Sequence, residues 1–327
     1  MAGKQYTLGI DVGSTTVKMV FVDLEADKIL WRDYQRHETK QPEKVLEFLK
    51  RIESEHPDIP KESIRAFITG SGGKNVAKHI GAKFVQEVNA VCLAVEKLYP
   101  ETGSVIELGG QDAKIIIFKE DPETGRKKKI PSMNDKCAGG TGAVIDKINA
   151  KLRIPADELS NQAYHGVKLH HVAGKCGVFA ETDINSLQKQ GIPNNELMAS
   201  LFEAIIGQNL SVLTRGHTLR PNVLLLGGPN TYIRGMREAW EENIPQIWAE
   251  RDFPLPEGVD PKSLIIVPDN AQYFAAIGAV EFGKEEEDEV GRYRGFTELE
   301  QYINVGRGLE KKGAGHGLSR SPEELAS

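Results

Sequence analysis

Residues Tyr6 to Asp23 read YTLGIDVGSTTVKMVFVD, and residues Ser104 to Phe118 read SVIELGGQDAKIIIF. Each stretch is two apolar, β-branched runs parted by a glycine turn with an acid beside it, the signal of a hairpin rather than of a strand entering a helix. Around the first hairpin the pattern predicts a strand over Lys28 to Tyr34 and a helix over Glu43 to Ile52, where Val45, Leu46, Phe48, Leu49 and Ile52 keep a helical period. A buried strand over Ile64 to Thr69 follows, then Gly70-Ser71-Gly72-Gly73 opening a short helix, then a helix over Asn89 to Tyr99 stopped by Pro100. Around the second hairpin the expected helices are Gly140 to Leu152, Phe179 to Gln190 and Glu196 to Leu213. A strand over Asn222 to Leu226, a helix from Tyr232, a strand over Ser263 to Val267 and a helix over Ala271 to Phe282 complete it. The repeated grammar predicts an α/β chain built from a duplicated βββαβα unit. Its expected domains are residues 1–102, residues 103–283, with the last helix (about 271–282) packing back on the first, and a polar appendage over 284–327. That appendage opens on an acidic run, Lys284 to Glu289, which reads as a solvated surface.

A chain of 327 residues is long enough for two full cores. With 41 Lys and Arg against 47 Asp and Glu it carries a net charge of −6, so no broad basic field draws nucleic acid or anionic lipid. No run approaches the ~18 apolar residues of a membrane span, and Met1-Ala2-Gly3-Lys4 leads into a strand without a signal-peptide core. A cytoplasmic location is expected. The three cysteines, Cys92, Cys137 and Cys176, are too few and odd in number for a disulfide framework.

The 33 glycines are most informative in the two turns. In Asp11-Val12-Gly13-Ser14-Thr15-Thr16-Val17-Lys18, small residues let backbone N–H groups turn toward an anion while hydroxyls and Lys18 add donors. An ordinary tight hairpin would use the same residues, but a second such turn, Glu107-Leu108-Gly109-Gly110-Gln111-Asp112, makes the pair specific. Two hairpins facing across a cleft can clamp a triphosphate, with Asp11 and Asp112 as the catalytic acids that hold a hydrated Mg²⁺. Gly227 and Gly228, after a buried strand, and Gln272, at the start of the last helix, are candidates for the adenosine end. Walker A and Rossmann spacings are absent, since Gly70-Ser71-Gly72-Gly73-Lys74 is followed by Asn75. These three motifs resemble the phosphate and adenosine motifs of the actin, Hsp70 and sugar-kinase superfamily, which implies a ribonuclease-H-like two-domain ATPase over about residues 6–282.

Asn134-Asp135-Lys136-Cys137-Ala138-Gly139-Gly140 and Gly174-Lys175-Cys176-Gly177 each set a thiol between Lys and a small residue just before an expected helix. Helix N-termini and lysines lower a thiol's pKa and stabilise bound anions, whereas Cys92, within Ala90-Val91-Cys92-Leu93-Ala94-Val95, reads as core. Adjacent His170 and His171 point apart and make a poor metal pair.

NDKCAGGTG around Cys137 and GKCGVFAETD around Cys176, together with DVGSTTVK and ELGGQD, resemble the activators of 2-hydroxyacyl-CoA dehydratases. That group includes the ATP-binding subunits of benzoyl-CoA reductase and the reductases of double-cubane cluster proteins. The resemblance implies a homodimer in which Cys137 and Cys176 of each subunit hold one [4Fe-4S] cluster. It implies ATP hydrolysis, through ATP, ADP and Mg²⁺ in adjacent clefts, coupled to transfer of one electron to an iron–sulfur acceptor enzyme, with ferredoxin or flavodoxin as donor. The basic stretch Lys119 to Ser132 and the tail from Gly283 depart from the pattern and leave the acceptor open. A sugar kinase on the same fold, or a non-catalytic nucleotide switch, would need neither cysteine.

Overall fold

The computed structural model describes residues 5–121, 123, 127–134, 138–174 and 177–306. The first sheet holds β1 (Tyr6–Val12), β2 (Thr16–Asp23), β3 (Lys28–Arg36), β4 (Ile64–Thr69) and β5 (Lys83–Phe84) in the order β3-β2-β1-β4-β5. The second holds β6 (Ser104–Leu108), β7 (Ala113–Glu120), β8 (Lys127–Asn134), β9 (Val223–Leu226) and β10 (Ile265–Ile266) in the order β10-β9-β6-β7-β8. In each sheet the first three strands form an antiparallel meander and the last two run parallel to the first, so the duplication holds strand for strand.

Helices α1 (Gln41–Glu55), α2 (Gly73–Ile80) and α3 (Glu87–Leu98) belong to the first half. The second half supplies α4 (Gly142–Leu152), α5 (Ala156–Asn161), α6 (Gly177–Lys189), α7 (Asn194–Leu213), α8 (Gly228–Tyr232), α9 (Arg234–Glu250) and α10 (Phe274–Glu285), and α11 (Thr297–Gln301) follows. Strand β1 is buried along nearly its whole length because both faces of its sheet are covered, as expected of parallel pairing. On the outer face, Leu8, Ile10 and Val12 meet Val45, Phe48, Leu49 and Ile52 of α1. Between the two sheets, α3 and α10 bring Val91, Cys92, Val95, Phe274 and Ile277 against Val20 of one sheet and Val105, Ile116 and Leu224 of the other. A separate core gathers α4, α7 and α9 beneath the second sheet.

The last core helix does return to the first half, and its contact there is backbone-close. A Cβ on Gly278 would run into the Ala90 carbonyl of α3, and one on Gly9 of β1 into the Ala276 carbonyl of α10. Gly278→Ala is therefore expected to cost about 3 kcal/mol, since backbone must move to admit it. Gly207→Ala, on the exposed side of α7 with open space around it, should instead gain up to ~1 kcal/mol. Urea unfolding of the two variants tests the contrast, and equal effects would contradict the packing.

Beyond α10 the structure differs from the expected appendage. The acidic run is held by its backbone: Arg65, buried on β4, donates to the carbonyls of Val290 at 2.9 Å, Glu287 at 2.8 Å and Glu286 at 3.1 Å. Ala66 N–H donates to Gly291 O, Tyr293 N–H to Ile64 O, and buried Tyr293 and Leu299 join the core of the first half. Residues 284–306 are thus part of that half, tied down by carbonyls that a reading of side-chain charge does not register. Among the described residues no helix is long and apolar enough to cross a membrane.

Candidate active site

The two glycine hairpins meet at a cleft of about 230 Å³ between the halves. Each is closed by the same bond, Gly13 N–H to Thr16 O at 2.9 Å and Gly109 N–H to Asp112 O at 2.9 Å. They touch, because a Cβ on Gly110 would collide with the Thr15 hydroxyl, so glycine is required for their approach. Gly13 O is fixed from behind by Gln41 Nε2 at 2.9 Å and His37 Nε2 at 3.2 Å. Thr39 N–H donates to His37 Nδ1, leaving the ring proton on Nε2, and burial holds His37 below its ordinary pKa in that neutral form. Behind the second hairpin, the first N–H groups of α4 bind its carbonyls, Gly142 to Gly109 at 3.0 Å and Ala143 to Gly110 at 2.7 Å.

Register then sorts the charges. Asp11 faces Lys18 across β1 and β2, and Glu107 faces Lys114 across β6 and β7, so Glu107 is the counterpart of Asp11. Lys18 Nζ lies 2.7 Å from Asp11 Oδ2. Burial alone would lower the Lys18 pKa, but the charges of Asp11, Tyr34 and Glu107 and the Asp11 hydrogen bond outweigh it and hold the ammonium above its usual range. Lys114, 1% exposed, stands 2.8 Å from Glu87 and 3.6 Å from Glu107 and is also paired with Asp112. Burial first, then the neighbouring acids, push Glu87 up to about 7 against the pull of Lys114, and burial raises Glu107 as well.

Of the residues expected here, Thr15, Thr16, Lys18, Gly109, Gly110, Gly227, Gly228 and Gln272 line the cleft. Gly13 and Ser14 lie within the first hairpin, and Asp11 sits behind it, 2% exposed. Gln111 and Asp112 form the outer side of the second hairpin, with Asp112 turned to Lys114, and the acids lining the cleft from that half are Glu107 and Asp146. Cys137 and Cys176 lie outside the described residues. The segments that follow them converge: a Cβ on Gly139 would stand 3.0 Å from Gly177 N and 3.0 Å from Gln208 Oε1. Just beyond, Val178 and Phe179 are 63% and 62% exposed. Cys92 is buried in α3, its thiol pushed up to about 11 by burial and Glu96 against the pull of Lys129. His170 is taken by Glu196 at 2.6 Å.

Sequence reasoning did not single out Tyr34, Arg36, Asp146 or Tyr232, which close the cleft. Arg36 of β3 grips Asp146 of α4 through two 2.8 Å bonds, and the Tyr34 and Tyr232 rings lie 5.5 Å apart. A third strand following each hairpin was the available signal, since its end must flank the turn.

Two five-stranded sheets of one topology, facing through paired glycine hairpins, define an α/β ATPase fold of the actin and sugar-kinase kind. The chain belongs to the BadF/BadG/BcrA/BcrD ATPase family, whose pattern matches residues 8–250. It is 26% identical over 274 residues to the (R)-2-hydroxyglutaryl-CoA dehydratase activating ATPase of Acidaminococcus fermentans, spanning 84% of this chain and 95% of that one. It is 27% identical to the 2-hydroxyisocaproyl-CoA dehydratase activator of Clostridioides difficile, spanning 87% and 97%. The crystal structure of the Acidaminococcus fermentans dehydratase component A superposes with a TM-score of 0.68 at 25% identity, over 85% of this chain and 97% of that one.

Proposed function

We propose that this chain is an ATP-driven activator that passes one electron at low potential to an iron–sulfur enzyme of the 2-hydroxyacyl-CoA dehydratase or reductase type. The observation that carries this reading is the convergence of Gly139 and Gly177, which follow the two cysteine motifs, on a chain of ATPase family. Thr15, Thr16 and Lys18 would take phosphate oxygens from one side and Gly109 and Gly110 from the other, while Gly227, Gly228, Tyr232 and Gln272 would take the nucleoside. Asp11 and Glu107, each buried and each keeping one oxygen without a hydrogen-bond partner, suit Mg²⁺ and its waters, hard ions that prefer carboxylate and water ligands.

The donor set also suits a [4Fe-4S] cluster: two thiols per chain, each preceding a helical segment whose N–H groups favour bound negative charge, so two chains supply four ligands. When bound, the cluster supplies the transferable electron, and the chain's own residues bind, orient and hydrolyse nucleotide. The exposed Val178 and Phe179 support a homodimer across that place. A ferredoxin or flavodoxin would be the donor. An anaerobic preparation tests the reading: about four iron and four sulfide per dimer and Mg²⁺-dependent phosphate release are expected. A colourless monomer after reconstitution with iron and sulfide would refute it.

A further inference from the structure

Among the described residues, the cations lining the cleft are Lys18 and Arg36, and each is paired with a carboxylate. The two pairs differ in what it takes to part them. The side chains of Lys18 and Asp11 are 13% and 3% exposed, and separating a buried pair strands charge where little compensates it. Those of Arg36 and Asp146 are 60% and 37% exposed, so water takes up both when they part, and an ion pair in that setting contributes little. Arg36 is therefore the cation that an incoming anion can recruit. Strand register sets it on the wall of the cleft that carries the phosphate-side residues. Thr16 lies opposite Arg36 across β2 and β3, and Lys18 lies opposite Tyr34. Residues two apart on a strand share a face, and directly opposed side chains stand about 5 Å apart at Cβ. Thr16, Lys18, Tyr34 and Arg36 thus form one patch, with Arg36 at its hairpin end. Asp146 reaches it from the other half. The first N–H groups of α4 bind the carbonyls of Gly109 and Gly110, and Asp146 stands one helical turn on from Gly142.

We propose that Arg36 is a phosphate-binding residue held in reserve by Asp146, and that nucleotide phosphate takes the guanidinium over from that carboxylate. The inference rests on the nucleotide reading above. The two 2.8 Å bonds between Arg36 and Asp146 show the planar fork of the guanidinium meeting two oxygens at once, and a phosphate presents the same pair of acceptors with more charge. No covalent bond is made or broken in the exchange: two hydrogen bonds to Asp146 are given up and bonds to phosphate oxygens replace them. Nucleotide then binds against the cost of freeing Arg36. Its arrival also loosens a tie between β3 of the first half and α4 of the second, the helix that follows the Cys137 motif.

The test uses the full chain, anaerobically prepared, as Arg36→Gln, Asp146→Asn and the double variant, titrated by calorimetry with ADP and with a non-hydrolysable ATP analogue in the presence of Mg²⁺. All three should melt as the parent does, since both positions reach solvent. Arg36→Gln should bind both nucleotides about tenfold more weakly, the worth of a charge-assisted bond to phosphate. Asp146→Asn should bind them about threefold more tightly, because Arg36 no longer has to be freed. The double variant should match Arg36→Gln, the gain from Asp146→Asn having vanished with the arginine. Weaker binding in Asp146→Asn overturns the proposal, since it would make the pair a clasp that retains nucleotide. A gain that persists in the double variant also overturns it, because simple repulsion by Asp146 would then be the cause, and so does unchanged affinity in Arg36→Gln. A parent protein that binds neither nucleotide would overturn the nucleotide reading itself and this exchange with it.

Discussion

Cys137→Ser and Cys176→Ser proteins are expected to purify free of iron yet bind ADP as tightly as the parent, and Cys92→Ser to keep its full iron. The contrast follows from where the chain puts each position. Cys92 lies in the layer between the sheets, and its thiol, pushed up to about 11, would have to give up a proton in apolar surroundings to become a ligand. The other two precede helical segments, and the residues after them, Gly139 and Gly177, pack against each other and against Gln208 of α7. ADP binding should survive because the cleft is lined by other residues. Iron analysis beside calorimetry decides it: iron retained by either variant, or equal loss in Cys92→Ser, rules the assignment out. Cluster-dependent loss of the dimer would appear at once in the sedimentation of the same samples.

The hairpins were legible because their signal is local. Alternating β-branched residues, a glycine turn and an acid all sit within eighteen positions or fewer of each other. What a motif cannot carry is register. Reading by residue type matched Asp11 with Asp112, whereas pairing across each hairpin matches Asp11 with Glu107, because each faces a lysine on the adjacent strand. Strand β8 was hidden by its own chemistry, since Lys127, Lys128 and Lys129 with Pro131 look like a loop but belong to a sheet edge, where charge and proline discourage further pairing. Strand β5, two residues long, is too short to leave a period, whereas β10 was legible within the strand expected over Ser263 to Val267 and is shorter than that reading. The strap after α10 and the crossing at Gly278 are non-local, set by carbonyls and by a missing Cβ that become meaningful only when the partner segment is known.

Lys114→Met is expected to be the most destabilising single substitution beside the cleft at pH 8, by about 3–5 kcal/mol, and markedly less so at pH 5. The single charge of the buried lysine is shared among three carboxylates, those of Glu87, Glu107 and Asp112, which are mostly shielded from water. Methionine fills the space and leaves the acids facing one another. In the parent protein the Glu87 carboxyl is already raised to about 7 from an ordinary 4.5, so the folded state holds its proton more tightly than the unfolded one. The stability contributed by that proton is full below about 4.5, declines as pH rises toward 7, and is gone above it. Removing the lysine deepens the same dependence, because the remaining attraction that favours the charged form is lost. Adding Glu87→Gln to Lys114→Met should therefore recover part of the loss at pH 8 and little at pH 5. Urea unfolding of the single and double variants at both pH values reads this directly, and a loss equal at pH 5 and pH 8 would refute charge as its origin. The pair also spans the two halves, since Glu87 opens α3 of the first and Lys114 lies on β7 of the second. Glu107, held by the same lysine, faces the nucleotide cleft.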